Sequence, residues 1–104
     1  MINKKLLKDA ENGDAVAQLE VGLLYEKYED FEKAFNWYKK ATETDDKNRD
    51  LYNMHRGGSV YRLGLCYLKG IGVRKNSKKA LECFKKADIN IAREQIGLMY
   101  RDGI

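Results

Sequence analysis

The chain of 104 residues has no proline, one histidine, one tryptophan and two cysteines. Each shortage removes a class of protein. With nine glycines and no proline, an all-β sandwich of many short strands lacks its usual turn punctuation, so helices are favoured. Two cysteines cannot build the framework of a disulfide-rich secreted scaffold. The single histidine, His55, would have to serve any Ser-His-Asp or Cys-His catalytic group, yet it stands beside Met54 and Arg56 with neither cysteine near it in sequence. No apolar run approaches the roughly 18 residues a membrane span needs. Leu6-Leu7 is too short for the core of a signal peptide. The expectation is a soluble, cytoplasmic protein with reduced thiols and no membrane partner.

What is present suffices for one domain. The chain is 43% hydrophobic and 11% aromatic, enough for a continuous core. Its net charge of +4 hides an asymmetry, because residues 1–46 sum to −4 and residues 47–104 to +8. Such a dipolar chain can steer towards an acidic partner, associate with itself head to tail, or simply carry a charge-rich solvated surface.

The sequence repeats. Val21-Gly22-Leu23-Leu24-Tyr25 aligns with Leu63-Gly64-Leu65-Cys66-Tyr67 and Ile96-Gly97-Leu98-Met99-Tyr100. A second set, Leu7-Lys8-Asp9-Ala10, Tyr38-Lys39-Lys40-Ala41 and Phe84-Lys85-Lys86-Ala87, alternates with the first. This is the pattern of A and B helices in stacked helical hairpins. A mid-helix glycine costs about 1 kcal/mol against alanine, so three at one register require a packing reason. Close approach of a neighbouring helix supplies it, and the small residues Ala17, Ser59 and Ala92, five positions earlier, suit the same contact. Phe31, Ala34, Phe35, Tyr38 and Ala41, then Ala80, Leu81, Phe84 and Ala87, follow helical spacing and read as core stripes.

Capping signals agree. Asp14, Asp30 and Asn76 can cap helices, Asn90 can begin one, and Gly70 and Gly103 are placed to end them. Helices are expected at about 3–11, 15–27, 31–43, 58–69, 77–87 and 91–101.

The series Ala-Glu-Asn-Gly-Asp-Ala-x-Ala-Gln at 10–18, followed by x-Gly-Leu-x-Tyr, resembles the Sel-like repeat, a tetratricopeptide-related αα-hairpin. The resemblance continues from Leu63 through the loop Gly70-Ile71-Gly72-Val73-Arg74-Lys75-Asn76, and from Lys79 to Ala87. It implies an all-α, right-handed superhelix of about two and a half hairpins filling 1–104. The parts are a capping helix (3–11), repeat one (14–44), an insertion (42–56), repeat two (57–88) and a partial repeat (89–104). The insertion departs from the family pattern; it lengthens helix B, forms a short extra helix or loops out. At the other end, either the last A helix acts as a cap or the array belongs to something longer.

Chemistry-bearing constellations are scarce. Two cysteines seventeen positions apart and one histidine form no recognised zinc spacing, so no metal, cofactor or catalytic residue is assigned. Gly70 to Lys75 fails the phosphate-loop spacing and follows a helix where the nucleotide motif follows a strand. Cys66 and Cys83 read as small hydrophobes. The acidic pairs Glu29/Asp30 and Asp45/Asp46 imply no cleft. The protein is not expected to be an enzyme.

The resemblance implies a partner surface instead. In tetratricopeptide-like repeats the concave positions lie three before, one after and four after the landmark glycine. Here these are Leu19, Leu23 and Glu26; Tyr61, Leu65 and Leu68; and Glu94, Leu98 and Arg101. An apolar groove of this kind suits a peptide or helix of one protein partner, with the chain acting as adaptor, scaffold or blocking inhibitor. The alternative is that a tight curl packs these leucines internally. A second surface, the basic run Arg74, Lys75, Lys78 and Lys79, offers contact to nucleic acid or to a nucleic-acid-handling protein. No aromatics interleave with it as single-strand binding prefers, and solvated lysines are its plainer explanation.

Overall fold

Helix follows helix from one end of the chain to the other: α1 (Lys4–Glu11), α2 (Ala15–Lys27), α3 (Phe31–Glu43), α4 (Arg49–Lys69), α5 (Ser77–Ala87) and α6 (Asn90–Arg101). This computed structural model describes residues 2–44, 49–87 and 89–103, with only the helical backbone described over 49–57. Among the described residues there is no strand. The helices stack in chain order, α1 on α2, α2 on α3, α3 on α4, α4 on α5 and α5 on α6, with α2 also touching α4. The result is a slab of 44 × 30 × 16 Å.

Five helices begin and end within one residue of the expected bounds, and the caps explain why. Asp14 accepts the Ala17 amide at 3.1 Å, and Asn76 accepts that of Lys79 at 3.0 Å. Asn3 caps α1 by accepting the Lys5 amide at 2.8 Å. Asp30 precedes α3 without a side-chain capping bond; its carboxylate lies 3.7 Å from Lys33 Nζ. Gly70 and Gly103 adopt φ of 73° and 77° just past their helices, where a side chain would be strained.

The sixth differs. α4 begins at Arg49, nine residues before the expected position 58. The second half of the 42–56 insertion therefore extends the second A helix at its N-terminus, an outcome not among the three anticipated. Residues 49–58 contain no proline, and the adjacent glycines Gly57 and Gly58 cost only about 1 kcal/mol each, too little to stop a helix held by packing downstream. Residues 45–48 and the side chain of His55 lie outside the described residues.

The repeated glycines sit where A and B helices touch. A Cβ built on Gly22 would lie 2.6 Å from the Tyr38 ring, and one on Gly64 would lie 2.7 Å from the Phe84 ring. Both rings are fully buried. The small residues five positions earlier serve a different contact from the one expected. Ala17 and Val21 pack with Ala10, Leu6 and Leu7 of the preceding B-type helix α1, and Ala92 packs with Phe84 and Ala87 of α5. The glycines of α2 and α4 thus face their own B helices, and the alanines of α2 and α6 face the B helix before them. Tyr67 fills the groove between successive B helices, edge-on to Phe35 at 5.4 Å between ring centroids.

Candidate interaction surface

The nine expected groove residues divide by their distance from the core. Leu23 and Leu98, one position after their glycines, are 36% and 40% exposed. Leu65, at the same register, is half-buried against the second hairpin's core. These three leucines share one register, the position after the landmark glycine, on α2, α4 and α6. Glu94 and Arg101, on the same helix as Leu98, are exposed.

The other positions turn inward. Tyr61 is 9% exposed, its ring 5.7 Å from that of Phe84. It is a core residue of the α4–α5 hairpin and does not line the groove. Leu19 and Leu68 are half-buried against core clusters. Glu26, also half-buried, accepts a 2.9 Å hydrogen bond from the Tyr38 hydroxyl. The Tyr38 hydroxyl has its pKa raised, first by burial and then by this carboxylate, so it remains a donor.

The basic run is exposed throughout, with Lys79 Nζ 5.5 Å from the Tyr67 ring centroid. Its loop is fixed by packing. Gly72, at φ 69°, lies directly against the carbonyl of Phe31, where no Cβ fits. The spacing Gly-x-Gly thus serves a tight turn pressed on the start of α3. Phe31 itself, assigned to a core stripe, is 40% exposed, because it is the first residue of α3 and the stripe runs off the helix end there.

Cys66 is buried and Cys83 half-buried, and both are free thiols. Burial pushes the Cys66 thiol up to about 12 and raises that of Cys83 as well, which is the reverse of an activated nucleophile. Among the described residues no cluster of three or more His, Cys, Asp and Glu could hold a metal, and no helix is long and apolar enough to cross a membrane.

Two tyrosines, Tyr28 and Tyr100, are exposed without having been anticipated from the sequence, and only Tyr100 had a signal there. It occupies the register of Tyr25 and Tyr67 but is 57% exposed. Gly97, three residues before it, has nothing within 4 Å of where its Cβ would be. The signal was present: α6 carries the A-helix pattern, and only a following B helix would bury it.

Stacked hairpins latched by glycine–aromatic contacts define a helical-repeat solenoid. The Sel1 repeat model matches residues 15–46 and 58–87, and the chain belongs to the Sel1 repeat family. Its fold is similar to that of a protective antigen of uropathogenic Escherichia coli strains displaying an SLR fold, with a TM-score of 0.81 and 31% identity over 99% of this chain. It is also 33% identical over 85 residues, 79% of its length, to the DAP3-binding cell death enhancer 1 of Rattus norvegicus. The chain spans 22% of the antigen and 15% of the rat protein. Repeats of this class are protein–protein interaction modules.

Proposed function

We propose that this chain is a non-enzymatic binding module that docks an apolar peptide or amphipathic helix of another protein across the A helices. The observation that carries the reading is the exposure of Leu23 and Leu98, which share with the half-buried Leu65 the position after the landmark glycine. One leucine on each of the three A helices would match the periodic anchors of a ligand lying across them. Glu94 and Arg101 at the rim would set its charge preference. The rat relative is a DAP3-binding protein by name, which supports a protein ligand for this class of repeat. Free thiols at Cys66 and Cys83 are in keeping with a cytoplasmic setting. Occupying a single partner segment would let the chain work as an adaptor or by blockade.

The test is affinity capture from the source organism with the wild type and with Leu23→Asp plus Leu98→Asp, after nuclease treatment and at two salt concentrations. Both substituted side chains are on the surface, so the variant keeps its helicity by circular dichroism. A protein retained by the wild type at both salts and lost by the variant supports the groove. Retention unchanged in the variant removes it. Capture that vanishes on nuclease treatment or moderate salt transfers the function to Arg74, Lys75, Lys78 and Lys79.

A further inference from the structure

The edge of the slab where α2 turns into α3 and α4 into α5 combines apolar residues with charges of both signs. At the α2–α3 turn, Tyr28 and Phe31 are 53% and 40% exposed. Gly72 of the α4–α5 loop lies against the Phe31 carbonyl and the Glu32 amide, so turn and loop form one continuous surface. Ile71 and Val73, on either side of Gly72, are half-buried against the cluster that contains Phe35. Two exposed carboxylates, Glu29 and Glu32, stand on the turn, and two exposed cations, Arg74 and Lys75, on the loop. Among the described residues none of these four takes part in an ion pair, whereas Asp30 between the two acids is held by Lys33. Glu29 adopts φ 62°, a conformation that glycine holds at lower cost, so a carboxylate stands there against the local preference. Every residue named belongs to the α2–α3 or the α4–α5 hairpin, whose helices stack between α1 and α6.

We propose that this edge pairs with the same edge of a second copy of the chain about a two-fold axis. A surface with free acids on one hairpin, free bases on the next and apolar residues on both is complementary to itself after a half-turn. The rotation sets Glu29 and Glu32 of each copy opposite Arg74 and Lys75 of the other, and brings Tyr28 and Phe31 towards Ile71 and Val73. Nucleic acid fits less well, because the carboxylates flanking Phe31 repel phosphate. An acidic protein matches only the loop and meets like charge on the turn. The contact is isologous, so it stops at a dimer. It uses none of Leu23, Leu65 and Leu98, and it stands or falls independently of a ligand on those leucines.

The experiment is sedimentation velocity of the full chain over a wide concentration range, beside two charge-reversed variants. One carries Glu29→Lys and Glu32→Lys, the other Arg74→Glu and Lys75→Glu. All four side chains are exposed, and circular dichroism checks that each variant keeps its helicity. The wild type should pass from 12.0 kDa to twice that mass and no further, less readily at high salt. Each variant alone sets like charges face to face across the axis and should dimerise about tenfold more weakly or worse. An equimolar mixture of the two should recover the dimer, because every turn of one variant then meets a loop of opposite sign on the other. Should a charge-reversed variant lose helicity, Phe31→Ser takes its place and must weaken dimerisation by removing the exposed ring. A wild type that stays at 12.0 kDa, growth beyond the dimer, variants that dimerise as the wild type does, or a mixture that stays monomeric overturns the proposal.

Discussion

The α2–α3 and α4–α5 hairpins solve the same packing problem with different chemistry. In the first, Tyr38 lies over Gly22 and its hydroxyl is satisfied by Glu26. In the second, Phe84 lies over Gly64, Leu68 stands where Glu26 stood, and Tyr61 joins the ring from the same A helix. One latch is polar at its tip and the other wholly apolar. The glycine–ring contact is thus the invariant of this solenoid, and the residue four positions after the glycine is chosen to suit the ring. α6 shows the contact half made, with glycine and tyrosine in register and no ring above them.

The largest effect expected comes from removing a ring. Phe84→Ala should cost about 3–5 kcal/mol, an amount comparable to the whole stability of a small domain, and urea unfolding should show the transition weakened or lost. Next come the glycines, which separate a closed latch from the open one. Gly64→Ala pushes a methyl into the Phe84 ring and should cost about 1–3 kcal/mol. Gly97→Ala meets nothing and should stabilise the chain by up to about 1 kcal/mol through helix propensity. Equal effects at the two positions would end the distinction between them.

A smaller effect tests the exchange of chemistry between hairpins. Tyr38→Phe removes the hydrogen bond to Glu26 and should cost about 1 kcal/mol. Adding Glu26→Leu makes the first latch like the second and should restore most of that loss, a non-additivity visible in a double-mutant cycle.

The effect smallest at neutral pH concerns Cys66. Its thiol is raised in the folded chain to about 12 from an ordinary 9.0, so the native state holds the proton that the unfolded state releases first. The associated stability is fully present below pH 9.0 and fades as pH rises towards 12. Cys66→Ala should flatten that part of the alkaline unfolding profile, and native Cys66 should resist alkylation at neutral pH.

Much of this fold was legible because its signals are local. Asp14 and Asn76 as caps, Gly70 as a terminator and the glycine–aromatic spacing each act within a few residues, and the observed helices follow them. The extension of α4 back to Arg49 was not legible, because two glycines are weak breakers and tertiary packing decides whether a helix runs through them. The groove was legible only as a register. Tyr61 and Leu65 stand four positions apart on one helix, and it takes the placement of Phe84 to bury the first while leaving the second at the edge. Phe31 fell on the right face but at the first residue of its helix, where the core no longer covers it. Exposure of Leu23 and Leu98 depends on how the hairpins stack, which no single helix encodes.

The central claim is that a protein ligand lies along Leu23, Leu65 and Leu98. The most direct measurement places a photo-crosslinking amino acid at position 23 and, in a separate sample, at position 78 on the basic run, then irradiates each in lysate of the source organism. A discrete protein adduct from position 23, competed by unlabelled wild type and absent from position 78, is the predicted result. Adducts to protein or nucleic acid from position 78 with none from position 23 would contradict the account.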